Sequence, residues 1–122
     1  MIRLKALSIT AALSFCLTLS ACRSPYVETS ILNHTGGTAR LVEVDYPGGS
    51  FGTQQIAEGA TYHYHFKILD TAGPVKITYT GKDGKTHTAT GPVLDEGQQG
   101  NLTITIDPDG RVAWLPQVNP PK

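Results

Sequence analysis

His63-Tyr64-His65 is the segment whose residue types and spacing come closest to a chemical site. In a β-strand, alternate residues share one face and lie about 7 Å apart, so two imidazoles placed this way can converge on one Zn or Cu ion. His87, in the segment Lys85 to Thr90, is the third ligand this reading recruits, with His34 the other candidate. The competing account is a solvated strand face: if Tyr62, Tyr64 and Phe66 point inward, the intervening positions must be polar, and no carboxylate near in sequence completes a ligand set. Glu43 and Asp45 could share a proton or a cation, as could Asp95-Glu96, but solvated surface carboxylates account for both pairs. Asp107 and Asp109 are expected to form a turn rather than to bind calcium. Tyr46-Pro47-Gly48-Gly49-Ser50-Phe51-Gly52 has the glycines of an anion cradle, yet it lacks the Lys-Ser/Thr ending and following helix of a phosphate loop, so a flexible turn is expected. Beyond residue 21 the serines are Ser24, Ser30 and Ser50, and none is expected to act as a nucleophile. The chain is not expected to be an enzyme, and no cofactor is expected.

One residue has a chemistry set by its surroundings in sequence. Arg3 and Lys5 begin a chain with no acidic residue before Glu28, and Ala6 to Leu19 is an uncharged run of 14 small and aliphatic residues. A membrane-spanning helix needs roughly 20, whereas a secretory signal needs a shorter apolar core after a cationic start. Leu19-Ser20-Ala21-Cys22 follows directly and resembles the lipobox of bacterial lipoproteins. That resemblance implies a signal peptide over residues 1–21 and a thioether-linked diacylglycerol on Cys22. Cys16 does not fit, because the bulky Phe15 precedes it. Arg23, and not Asp, stands after the lipidated position, which the resemblance associates with the outer membrane. The expected partner of Cys22 is therefore the lipid bilayer of a bacterial envelope, held by several acyl chains at about 0.8 kcal/mol per buried CH2.

Removing residues 1–21 leaves eight Lys and Arg against ten Asp and Glu, a formal charge of −2. No run of like charge occurs, so the electrostatic footprint of nucleic-acid binding is missing and no nucleic acid is expected as partner. Roughly 100 residues suffice for one domain with a modest core. With Cys16 and Cys22 both in the leader and anchor, that domain has no disulfide, thiol nucleophile or Cys metal ligand. The two Asn-x-Thr tripeptides, at Asn33 and Asn101, read as chance in a bacterial chain.

The elements that must position these residues are strands. Short alternating segments separated by Gly, Asp-Gly and Pro-Gly signals predict strands near 26–32, 39–46, 52–57, 61–69, 75–81, 85–90, 101–107 and 111–115. Asn33-His34-Thr35-Gly36-Gly37, Lys82-Asp83-Gly84-Lys85 and Asp107-Pro108-Asp109-Gly110 supply turns between sequence neighbours. Alternation turns inward Val42, Val44 and Tyr46; Tyr62, Tyr64, Phe66 and Ile68; Val75, Ile77 and Tyr79; and Leu102, Ile104 and Ile106. One-sided strands without a helix need a second sheet, which predicts an all-β, immunoglobulin-like antiparallel β-sandwich of seven or eight strands, with a small closed barrel as the alternative. The domain limits are then 22–25 for the lipidated Cys and tether, 26–115 for the sandwich and 116–122 for a mobile Pro-rich tail. Three residues of tether, Arg23, Ser24 and Pro25, reach at most about 3.6 Å each, which keeps the domain against the membrane.

Asn33-x-Thr35-Gly36, Val42 to Gly52 and Glu96-Gly97-Gln98-Gln99-Gly100 are similar to segments of small lipoproteins from soil bacteria of the acidobacterial kind. The resemblance covers most of the domain and implies location and a sandwich fold, with no catalytic residue or cofactor. The resulting expectation is a non-catalytic, membrane-anchored envelope lipoprotein that binds or supports a protein or glycan partner. The alternative is a metal-binding lipoprotein using His63, His65 and His87.

Overall fold

The computed structural model describes residues 25–120; residues 1–24, on which the expected signal peptide and the lipidated Cys22 fall, and residues 121–122 lie outside them. The described residues form eight strands and no helix: β1 Val27–Asn33, β2 Ala39–Tyr46, β3 Gly49–Ile56, β4 Thr61–Phe66, β5 Gly73–Thr80, β6 Thr86–Leu94, β7 Gly100–Ile106 and β8 Val112–Val118. They build two four-stranded sheets, in the orders β4-β1-β7-β8 and β3-β2-β5-β6. β4 lies over β3 and β8 over β6, so the fold is an all-β sandwich rather than a closed barrel.

Alternation accounts for the core. Val27 and Ile31 of β1, Val42 and Val44 of β2, Val75, Ile77 and Tyr79 of β5, and Leu102, Ile104 and Ile106 of β7 are all buried between the sheets. Each fully buried aliphatic side chain contributes roughly 1.5–3 kcal/mol relative to exposure. Thr29 also points into this layer, and its hydroxyl is buried with no hydrogen-bond partner. Tyr46, Phe51, Tyr62, Tyr64 and Phe66 stack along the β3/β4 side, with Tyr46 on Phe66 at 4.0 Å and Tyr64 on Phe51 at 4.2 Å. Tyr64 faces inward as predicted but stays 40% exposed, because β4 is an edge strand and the second sheet does not reach past it.

Three features differ from the sequence expectation. First, β1 pairs with β7 in parallel, while every other strand pair is antiparallel. Turn residues register only sequence neighbours, and β1 and β7 are joined by the whole intervening chain. The Asn33 loop accordingly carries the chain from one sheet to the other instead of closing a hairpin. Second, β3 begins at Gly49, so the glycine-rich segment is mostly strand. Its turn is only Pro47-Gly48, with Gly48 at φ +94°, the Pro-Gly order of a type II turn. Third, β8 runs on to Val118, with Leu115, Pro116 and Gln117 opposite Thr103, Leu102 and Asn101. The tail predicted to be mobile from residue 116 is therefore ordered strand to Val118. A proline is tolerated there because β8 is an edge strand, with a free side that needs no N–H donor.

β2 also carries a bulge between Arg40 and Glu43. Ala39 and Val42, three positions apart, both face the core, and the extra residue that resets the alternation is Leu41. Leu41 takes φ +48°, a left-handed conformation costly for a side chain with a Cβ, and is 62% exposed.

Candidate functional site

β4 displays His63 and His65 on the outer face of its sheet, both exposed, with β1 alongside. The register sets Ser30 opposite His63 and Glu28 opposite His65. His63 Nδ1 lies 3.1 Å from Ser30 Oγ, and His65 Nδ1 lies 3.8 Å from Glu28 Oε2. The Tyr26 ring packs on His65 at 4.2 Å, and Lys67 Nζ sits 5.1 Å from the centre of the Tyr26 ring. Strand pairing thus brings a carboxylate, remote in sequence, beside His65, without completing a three-residue ligand set among the described residues.

His87 does not join them. It lies on β6, at the edge opposite β4, where its ring stacks on Tyr79 at 5.0 Å and its Nε2 reaches Asp83 Oδ2 at 3.2 Å. His34 lies in the loop after β1, at the far end of the sandwich from His65. The three-histidine set is therefore not assembled, because the strands carrying it belong to different sheets at opposite edges. Among the described residues no three of His, Cys, Asp and Glu come together in a metal-holding group.

The His87 end is a structural cluster. Tyr79, buried, donates its hydroxyl to the Gly110 carbonyl at 3.0 Å, tying the β5 strand to the β7–β8 turn. Burial pushes the Tyr79 phenol pKa up, and the charges of Asp107 and Asp83 add to this. Asp107 Oδ1 accepts from the Asp109 and Arg111 amides at 3.0 and 2.9 Å, the turn-forming role expected of it. Asp83 is held below its ordinary value of 3.8, first by the Lys85 amide and then by His87. A carboxylate with a depressed folded-state pKa adds stability above its unfolded value, and that stability is lost as pH falls through the folded one. Asp83→Asn should therefore flatten the acid limb: between about pH 5 and pH 2 the melting temperature of the variant should fall less than that of the parent. The difference should shrink with added salt, since both groups face water.

The serines and paired carboxylates are placed just as plainly. Ser30 and His63 form a hydrogen-bonded pair on an open sheet face, a contact that the spacing of 33 residues hides in the sequence. Gly48-Gly49-Ser50-Phe51-Gly52 has the G-x-S-x-G spacing of a nucleophile elbow, which reading the segment as a plain turn passes over. An elbow needs a strand-to-helix turn, and here Ser50 lies within β3, opposite Asp45. Asp45 is 3.8 Å from Lys76 on β5, so it is paired with a cation.

Concave surface gathers at the end of the sandwich where the described chain begins. A cleft of about 890 Å³ is lined by Pro25, Ile68, Leu69 and Ala72, with Lys67 and the acidic Asp70, Asp95 and Glu96 around them. Leu69, 69% exposed, follows the end of β4 in a loop that sequence reading assigned to the strand. A neighbouring cleft of about 460 Å³ is lined by Tyr26, Glu28, Gln99, Asn101, Gln117 and Asn119.

No family model and no curated protein matches the chain. Among solved structures it is similar to one described as the NMR structure of the protein from Eubacterium rectale. The identity is 13%, the TM-score is 0.54, and the match covers 75% of this chain and 87% of that one. At that identity the likeness speaks for the fold alone.

Proposed function

We propose that this chain is a lipid-anchored protein of the bacterial envelope, outer membrane favoured, whose sandwich is a non-catalytic module for a protein partner. The anchor rests on Leu19-Ser20-Ala21-Cys22. The observation that carries the partner reading is the cleft beside Pro25, which combines an exposed Leu69 with three carboxylates. Apolar surface left in the open near a concavity is a mark of recognition, and the acidic rim suits a segment with apolar and cationic side chains. Pro25 lies three residues after Cys22, so a lipidated Cys22 would hold this cleft close to the headgroups.

A glycan is the second reading, favoured by the adjoining cleft, where carboxamides of Gln99, Asn101 and Gln117 lie beside the Tyr26 ring. Amides both donate and accept, which suits sugar hydroxyls.

A photo-crosslinking residue placed at Leu69 should form a discrete protein adduct in intact cells, while one at Lys82, at the opposite end, should not. Equal adducts at both positions, or none at Leu69, would overturn the protein reading; saturable binding of purified envelope polysaccharide that Gln117→Ala abolishes would replace it with the glycan. Cys22→Ser should abolish incorporation of a clickable fatty acid, and labelling that persists would refute the anchor.

A further inference from the structure

The geometry points to a divalent-metal site made by His63 and His65 alone, selective for Cu2+ over Zn2+, on the outer face of β4. The two imidazoles stand at alternate positions of one strand and so share a face at about 7 Å. What the sequence cannot show is which groups stand beside the two rings. Each Nδ1 is turned towards an oxygen on β1, His63 to Ser30 Oγ at 3.1 Å and His65 to Glu28 Oε2 at 3.8 Å. A ring whose Nδ1–H is donated to an oxygen has its lone pair on Nε2, on the other side of the ring from that partner. A hydroxyl or carboxylate behind one nitrogen is the arrangement that orients a metal-ligating histidine with its other nitrogen towards the metal. His63 has its oxygen at hydrogen-bond distance, His65 has the Glu28 carboxylate 3.8 Å behind its ring, and both partners come from the same neighbouring strand.

The ring positions are also restrained. His65 packs on Tyr26, and β1 and β4 are held in register along six residue pairs. Restraint of the free ligands lowers the entropic cost of closing a chelate. Two imidazoles with water in the remaining positions suit the tetragonal preference of Cu2+, and the Irving–Williams order places Cu2+ above Zn2+ at any such nitrogen site. Among the described residues the pair has no third protein ligand, so the site is open and exchangeable, unlike a closed structural zinc centre.

The test uses the untagged full-length chain in detergent, with Cys16→Ser and Cys22→Ser so that no thiol competes. Titration with Cu2+ followed by calorimetry should give one equivalent per chain, with Zn2+ binding the same site more weakly. Paramagnetic broadening by Cu2+ should strike the amides of His63, His65, Glu28 and Ser30 first. His63→Ala and His65→Ala should each weaken binding tenfold or more, whereas His87→Ala should leave it unchanged. Undiminished binding in His65→Ala, broadening centred on His87 and Asp83, or no saturable uptake of either metal would overturn the site. Circular dichroism of the alanine variants separates loss of a ligand from loss of the fold, and both side chains are exposed enough for the fold to survive.

Discussion

Asn33→Ala should destabilise the domain by about 3–5 kcal/mol, a large share of the roughly 5–15 kcal/mol by which a domain of this size is stable. Asn33 is fully buried at the end of β1, and every hydrogen-bonding position of its side chain is used. Its amide donates to the Gly37 and Ile56 carbonyls, both at 2.8 Å, and its carbonyl accepts from the Thr35 amide at 3.0 Å and the Thr35 hydroxyl at 2.8 Å. The residue therefore folds the crossing loop onto itself and fastens it to the last residue of β3. Alanine leaves these groups unmatched, the Ile56 carbonyl in the buried interior and the Gly37 and Thr35 groups at its partly buried margin. Asn33→Asp should be nearly as damaging, because a carboxylate cannot donate to two carbonyls. Asn101→Ala, on the exposed face of β7, should lie within about 0.5 kcal/mol of the parent. Urea unfolding of the three variants measures all of this, and a small effect at Asn33 would mean that water or loop rearrangement replaces its bonds.

Gly100→Ala should cost about 2–4 kcal/mol, and should do so by prising β8 from β7. Gly100 begins β7 at φ +139°, where an L side chain is strained whatever the space around it. A Cβ there would also lie 2.3 Å from the Gln117 carbonyl oxygen and 2.8 Å from Val118 Cα, so backbone and not a pliable side chain must move. The Gly100 amide bonds to the Tyr26 carbonyl at 3.2 Å, and Asn119 N–H bonds to Gln99 O at 3.0 Å, so the disturbance falls where β1, β7 and β8 all meet. Amide hydrogen exchange should show protection lost first at Gln117 to Asn119, with Ile104 and Ile106 retained. Uniform loss across β7 would mean that the strands open together.

The strands themselves were legible residue by residue. Val75-x-Ile77-x-Tyr79 and Leu102-x-Ile104-x-Ile106 face the core as alternation requires, and His63 and His65 share the outer face of β4 for the same reason. Where the reading failed, the missing information was a neighbour. Pro116 to Val118 looked structureless because its pattern is poor, yet it gains order from the backbone of β7, which takes no account of side-chain pattern. Asn33 looked like a turn former, and its Asn-x-Thr-Gly-Gly context does carry a loop signal; its burial is conferred by Ile56 from β3.

The candidate site divides along the same line. That His63 and His65 could act together follows from a spacing of two in an extended chain, a local fact. That His87 cannot act with them, that Glu28 and Ser30 stand behind them, and that a cleft opens beside Pro25 depend on the strand orders β4-β1-β7-β8 and β3-β2-β5-β6. The sequence alone determined the period-two faces, the tight turns at Lys82–Lys85 and Asp107–Gly110 and the sandwich, because these follow from backbone geometry and burial within each strand and hairpin. Only the tertiary structure decided the parallel β1–β7 pair, the edges and the residues gathered at each end, because pairing between distant strands is won by the core they jointly close and leaves no mark in either strand's own pattern.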